Sequence, residues 1–474
     1  MKIYYTTTLL LLIFLISGIQ ISKAQDTQEQ SLKSIIKDVS ILASDSLQGR
    51  QSGLQSVKKS INYIEQRYKE IGLTTFPMMD NYLQPFQFYT TIFADSAWVT
   101  SEGITLEHRR HFYTTRYAHD TTVVAKTKYI DNEQLHKAMT GENKLNIAGK
   151  IAIINITSKP TKNAQYPDSA YNSKAHIQYL TKLGASGIIL MGEKVWYSKL
   201  FGKFEDIKTT IPVFSTFPDY KELVMSLNGK KIEMGCILPK KETGENIIGY
   251  IDNDAPKTII IGAHYDHVGL GNFGRSQEYK DSVYNGADDN ASGVAGMLEL
   301  ARMLKNEKNS MHNYLFIAFG AEERGKKGSW AYTRSKLFEA QKTLIYVNYD
   351  MIGRMRKMRD KLFLIGRGSA KELPMLLKEH KYKEGKLHIS NKTHGGSDHA
   401  PFYNKKIPFL YFTTGLHTDY HTYKDDIKYL NFEGIKYTVD YTFELIKALN
   451  QFENLEFTPC EYMSLFNWIP MYLP

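Results

Sequence analysis

Four short apolar runs in the second half of the chain each stop just before a histidine or a carboxylate. Thr258–Gly262 precedes His264, Tyr314–Phe319 precedes Glu322 and Glu323, Leu344–Val347 precedes Asp350, and Pro408–Phe412 precedes the loop carrying His421. Continuous runs of this length, rich in Ile, Val, Leu and Phe, fit strands buried on both faces. After the first run, Val294, Met297, Leu298, Ala301 and Leu304 recur at helical spacing and predict a helix with an apolar face. Strands alternating with helices predict an α/β fold, a mostly parallel mixed sheet flanked by helices. In such sheets ligands bind beyond the carboxyl ends of the strands. The polar residues named above fall there.

Five potential metal ligands stand in order: His264 in Gly-Ala-His-Tyr-Asp-His, Asp288 in Asn-Gly-Ala-Asp-Asp-Asn, Glu323 in Ala-Glu-Glu-Arg, Asp350 in Asn-Tyr-Asp-Met, and His421 in Asp-Tyr-His-Thr. Two imidazoles and three carboxylates suit two zinc ions, whereas Cys236 and Cys460, the only cysteines, are too few for a zinc finger or a disulfide scaffold. A shared carboxylate lets two divalent ions polarise a carbonyl and activate water together. Asp288 is the expected bridge, being central in the order and set in a glycine-flanked loop. His264 and Asp350 then complete one ion, and Glu323 and His421 the other.

Glu322, next to Glu323 but free to face elsewhere, is the expected general base and acid. Asp266 is expected to accept the second N–H of His264, and Asp425 that of His421, fixing each ring's tautomer. Ordinary explanations exist for each residue alone. Asp288 or Asn290 could cap the helix starting near Ser292, Glu322 and Glu323 could be surface charge, and Asp425-Asp426 a polar turn. Suitable residue types at successive strand ends favour the metal centre.

At 474 residues the chain is long enough for more than one domain. Residues 1–24 carry Lys2, an apolar run from Leu9 to Ile16 and Ser22-Lys23-Ala24, the pattern of a secretory signal, and the run is too short for a comfortable membrane span. A periplasmic or secreted protein is expected. Residues 25–92 begin with helical periodicity, and 93–240 shift to short strands such as Ile151–Ile156 and Gly187–Met191 around a helix from Ala175 to Leu183. Residues 241–455 hold the ligand candidates, and 456–474 form an apolar, aromatic tail. The formal charge of +10 is scattered, with no nucleic-acid signature, so no nucleic-acid partner is expected.

These blocks resemble the M28 family of co-catalytic zinc peptidases. The resemblance rests on Gly-Ala-His-Tyr-Asp-His267, Asn-Gly-Ala-Asp-Asp-Asn-Ala-Ser-Gly293, Phe-Gly-Ala-Glu-Glu323, Asn-Tyr-Asp-Met-Ile-Gly353, Gly-Ser-Asp-His-Ala-Pro-Phe402 and Asp-Tyr-His-Thr422. It implies the same ligand roles, a cis peptide between Asp288 and Asp289, and Ser397, Asp398 and His399 near the site. Leu42–Arg50 looks like the N-terminal element of bacterial members, making 25–92 the first part of the peptidase domain. Residues 93–240 resemble the inserted, β-rich protease-associated domain. The chain departs from the family at Lys326-Lys327, where members often carry apolar residues, and at Tyr423, where they carry Pro.

The implied activity is that of a hydrolase, a zinc aminopeptidase removing N-terminal residues from peptide substrates. A carboxypeptidase would need a cation for the terminal carboxylate, with Arg354 or Arg367 as candidates. A glutaminyl cyclase would use a single zinc, and a non-catalytic binding protein would rely on the insert.

Overall fold

The structure, a computed structural model, describes residues 28–89, 96–108, 110–115, 117–156, 173–192, 209–238, 241–270, 282–308, 310–355, 361–380 and 386–463. Residues 1–24, where a secretory signal is expected, and residues 464–474 of the tail lie outside the described residues. Two compact units divide the chain: Met1–Phe88 with Thr243–Pro474, and Tyr89–Glu242.

The first unit is built on an eight-stranded sheet. Its order is Leu83–Tyr89, Lys241–Ile251, Asn313–Phe319, Thr258–His264, Thr343–Tyr349, Phe409–Thr413, Lys361–Ile365 and Lys386–Ser390. The four central strands are parallel. Lys241–Ile251 and Lys361–Ile365 flank them antiparallel, so the sheet is mixed around a parallel core. Every residue of Asn313–Phe319 and of Thr343–Tyr349 is buried, which explains why these runs show no polar alternation.

Successive side chains go to opposite faces of the sheet. Ile259 and Ile261 join one apolar cluster with the helices Val57–Ile71, Gly293–Lys305 and Phe432–Leu449, while Ile260 joins another with Tyr332 and Phe402. Truncating a ring such as Phe316, fully buried in the first cluster, would cost about 3–5 kcal/mol. This packing fixes strand position, and position decides where the polar residues emerge. The parallel register sets His264 opposite Phe319 and Tyr349 opposite Phe412, so the residues that follow these strands leave the sheet on one rim.

The second unit has its own eight-stranded sheet, in which Thr121–Ile130, Ile151–Ile156, Gly187–Gly192 and Val213–Thr216 run parallel, each beside the next. Apolar clusters pack its two faces. One includes Val99, Phe214 and Met234; the other gathers Ala152, Ile154, Ile177 and Leu180 around the helix Ser173–Lys182. Cys236 and Cys460 are both buried free thiols.

Candidate metal centre

Asp289, not Asp288, occupies the shared position. Its Oδ1 stands 3.3 Å from Nε2 of His264, and its Oδ2 stands 3.1 Å from Nε2 of His421. Nε2 of His264 is also 3.3 Å from Oδ1 of Asp350, and Nε2 of His421 is 3.0 Å from Oε1 of Glu323. Two donor groups result, His264 with Asp289 and Asp350, and His267 with Asp289, Glu323 and His421, in each of which the donor atoms lie within 4.8 Å of one another. Zinc at about 2.0–2.2 Å from nitrogen and oxygen in a tetrahedron separates its ligands by about 3.3–3.6 Å. The spacings around His264 fall in that range and those around His421, at 3.1 and 3.0 Å, lie within about 0.3 Å of it, and the chemistry of the donors suits the ion.

Asp288 turns away. Its Oδ1 accepts the Gly353 N–H at 2.6 Å and the Ser292 hydroxyl at 3.1 Å, and its Oδ2 lies 3.3 Å from Nε2 of His417. The cis peptide is correspondingly Asp289–Asn290 and not Asp288–Asp289. Gly286, at φ 54°, lets the loop close: a Cβ there would stand 2.2 Å from the Asp289 carbonyl and 2.5 Å from the His267 ring. Asn290 does cap, accepting the Gly293 N–H at 3.0 Å, and it also takes the Met351 N–H at 3.1 Å, so it ties this loop to the one bearing Asp350.

The two acidic residues expected to orient histidines do other things. Asp425 does not meet His421. Its carboxylate accepts the backbone N–H groups of Asp288 at 3.1 Å and Asp289 at 3.0 Å, because the loop after His421 folds back beneath them. Nδ1 of His264 faces the main-chain carbonyl of Asp266 at 3.1 Å, while the Asp266 carboxylate is 3.9 Å away and accepts the Glu322 N–H at 2.9 Å. Asp266 therefore anchors the backbone of Glu322. Burial raises its pKa to about 7.

Glu322 lines a small pocket with His264, Asp289, Asp350 and Tyr420. Burial pushes its pKa well above the usual carboxylate range, against the pull of Lys326 and His264. Glu323 behaves oppositely: burial raises it, but His421 and His267 outweigh that and hold it at about 2. Burial would lower His264 and His421, yet the carboxylates facing them raise His264 well above its ordinary value and His421 to about 11. Four left-handed non-glycine residues mark these loops: Ala321 before Glu322, Lys326 closing the same turn, Met351 after Asp350, and His421 itself. Such conformations concentrate where surrounding structure fixes a functional side chain.

Several contributors have no role that the sequence pattern alone assigns. Ser397 donates to Oδ2 of Asp350 at 2.6 Å and accepts from Asn348 at 2.8 Å, and Asn348 accepts from Tyr346 at 2.7 Å, a chain that aims Asp350. Asp398 accepts from the Ser329 hydroxyl, and Nε2 of His399 meets the His394 carbonyl at 2.7 Å. The Ser-Asp-His block was the available signal. His267 had none beyond its place in the first motif. Lys326 and Lys327 are half-buried.

Neither candidate carboxylate anchor survives. Arg354, its side chain 6% exposed, pairs with Asp419 and Asp425 at 3.2 Å each. Arg367 follows Lys361–Ile365, which runs antiparallel to Phe409–Thr413, and so lies on the rim opposite the donor groups.

Fold and site together give a mixed α/β sheet with two adjoining groups of candidate metal donors on one rim. Residues 246–446 match the family model of Peptidase family M28. Aminopeptidase YwaD of Bacillus subtilis (strain 168) is 26% identical over 303 residues, covering 62% of this chain and 60% of YwaD, less than two thirds of its length. A probable leucine aminopeptidase of Trichophyton verrucosum (strain HKI 0517) is 23% identical over 320 residues, covering 65% of this chain and 84% of that protein. Two solved structures share the fold: an aminopeptidase from Aneurinibacillus sp. strain AM-1, with TM-score 0.57, 22% identity and coverage of 91% and 97%, and BSAP, a zinc aminopeptidase from Bacillus subtilis, with 0.51, 21%, 90% and 95%.

Proposed function

We propose that the chain is an extracytoplasmic aminopeptidase that removes N-terminal residues from peptides with two zinc ions sharing Asp289. The observation that carries this reading is the pair of donor groups on either side of one carboxylate, with Glu322 on the same pocket. His264 and Asp350 would hold one ion, and Glu323 and His421 the other. When bound, the ions supply Lewis acidity for the scissile carbonyl and for water.

The chain's own residues supply the proton chemistry. Glu322 takes a proton from the attacking water and passes it to the departing amine, as a carboxylate of raised pKa can do in both directions. Asp266 holds the Glu322 backbone and Ser397 holds Asp350, so the base and one ligand are fixed in place before substrate arrives. Closure of Arg354 into its ion pairs favours an amine end over a carboxylate end in the pocket.

The leader pattern of residues 1–24 supports export, and among the described residues no helix is long and apolar enough to cross a membrane. Residues 93–240 form a protease-associated-like insert with a sheet of their own. Aminoacyl anilides and N-blocked peptides offered to zinc-loaded protein test the assignment. Turnover of anilides alone is expected; turnover of blocked peptides alone would defeat it.

A further inference from the structure

His267 meets the same carboxylates as His421. Its Nδ1 lies 3.1 Å from Oε1 of Glu323 and 3.6 Å from Oδ2 of Asp289. We propose that His267 is a fourth protein donor to the ion held by Asp289, Glu323 and His421. That position then has four protein donors against three at His264, Asp289 and Asp350, so the latter would keep the larger open share for water and substrate. The inference rests on the two-ion reading above.

The geometry is that of one cradle. Two imidazole nitrogens face two carboxylate oxygens at 3.0, 3.1, 3.1 and 3.6 Å. Tetrahedral zinc places its ligands about 3.3–3.6 Å apart, so contraction or expansion by a few tenths of an ångström seats all four. Nδ1 is the ring nitrogen of His267 turned toward both carboxylates, while Nε2 is buried away from them.

The backbone holds it there. The His267 N–H donates to the Arg50 carbonyl at 3.3 Å, and the Arg50 guanidinium donates in turn to the carbonyls of Tyr265 at 2.8 Å and Gly286 at 2.9 Å. The loops carrying His267 and Asp289 are thereby stitched to one side chain. The His267 and His421 rings stand edge to face, 5.6 Å between centroids.

The pocket favours the same division of labour. Its walls include His264 and Asp350, the shared Asp289, Glu322 and Glu323, while neither histidine of the second group, His267 or His421, is among its lining residues. Four-donor zinc sites are structural, and three-donor sites keep a position for chemistry.

Zinc titration of the stripped full-length chain against a chromophoric chelator tests the inference, with circular dichroism of each stripped variant as a folding control. Wild type is expected to bind two ions with unequal affinity. His267→Gln should weaken the tighter site by about tenfold or more and leave the other unchanged. Cobalt-loaded His267→Cys should show a sulfur-to-cobalt charge-transfer band, which appears only if position 267 touches the ion. Wild-type affinities in His267→Gln together with no such band in His267→Cys would overturn the inference while leaving the two-ion reading intact. A wild-type chain that takes up fewer than two ions would overturn both.

Discussion

Asp288 and Asp289 are adjacent in the chain and send their carboxylates in opposite directions. Asp289 faces His264 and His421, whereas Asp288 accepts the Gly353 N–H and holds the next loop in place. Asp289→Ala should therefore abolish binding of the zinc pair. Asp288→Ala leaves a buried N–H unpaired, should cost about 1–3 kcal/mol of stability, and should keep the zinc. Metal analysis and urea unfolding of the two variants separate these outcomes.

Replacing Glu322 by Gln preserves shape and removes the proton acceptor. Turnover of an aminoacyl anilide should fall about 10²–10⁴-fold while zinc content stays at the wild-type value. Loss of zinc in this variant would reassign Glu322 as a ligand, and undiminished turnover would dismiss it as the base.

Zinc uptake should release protons. Burial disfavours charge on both imidazoles, but the carboxylates outweigh it, holding His264 well above its ordinary value and His421 at about 11. Both rings are thus protonated at neutral pH before the ion arrives, and a zinc-bound imidazole must be neutral. Affinity therefore rises with pH and falls on acidification. Calorimetric titration in buffers of different ionisation enthalpy should give heats that track the buffer; identical heats would contradict the charge assignment.

Arg354 is a structural clamp. It bridges Asp419, two residues before His421, and Asp425, which holds the backbone of Asp289. Arg354→Ala leaves Asp425 buried without its cation, at a cost of about 3–5 kcal/mol. Thermal unfolding reads that loss, and the preference for unblocked N-termini should persist in whatever activity remains.

The sheet was legible because buried parallel strands such as Thr343–Tyr349 carry no charged residue and end where a ligand begins. His264, Glu323, Asp350 and His421 could be chosen from the same pattern, His264 ending its strand and the others following theirs. The bridge could not. Asp288 and Asp289 have the same chemistry one residue apart, and only the loop geometry around Gly286 and Asn290 decides which carboxylate faces the histidines. Closeness in sequence makes Asp425 and Asp266 look like partners of nearby histidines. In the fold each serves backbone N–H groups instead, those of Asp288 and Asp289 for Asp425 and that of Glu322 for Asp266. Ser397 acts on a residue 47 positions away, beyond any local pattern.

The most direct measurement is an anomalous difference map from crystals of the zinc-loaded protein, recorded on both sides of the zinc absorption edge. Two edge-dependent peaks flanking the Asp289 carboxylate, one beside His264 and Asp350 and the other beside Glu323 and His421, are the expected result. An empty rim, or a lone peak beside Asp288, would contradict the account.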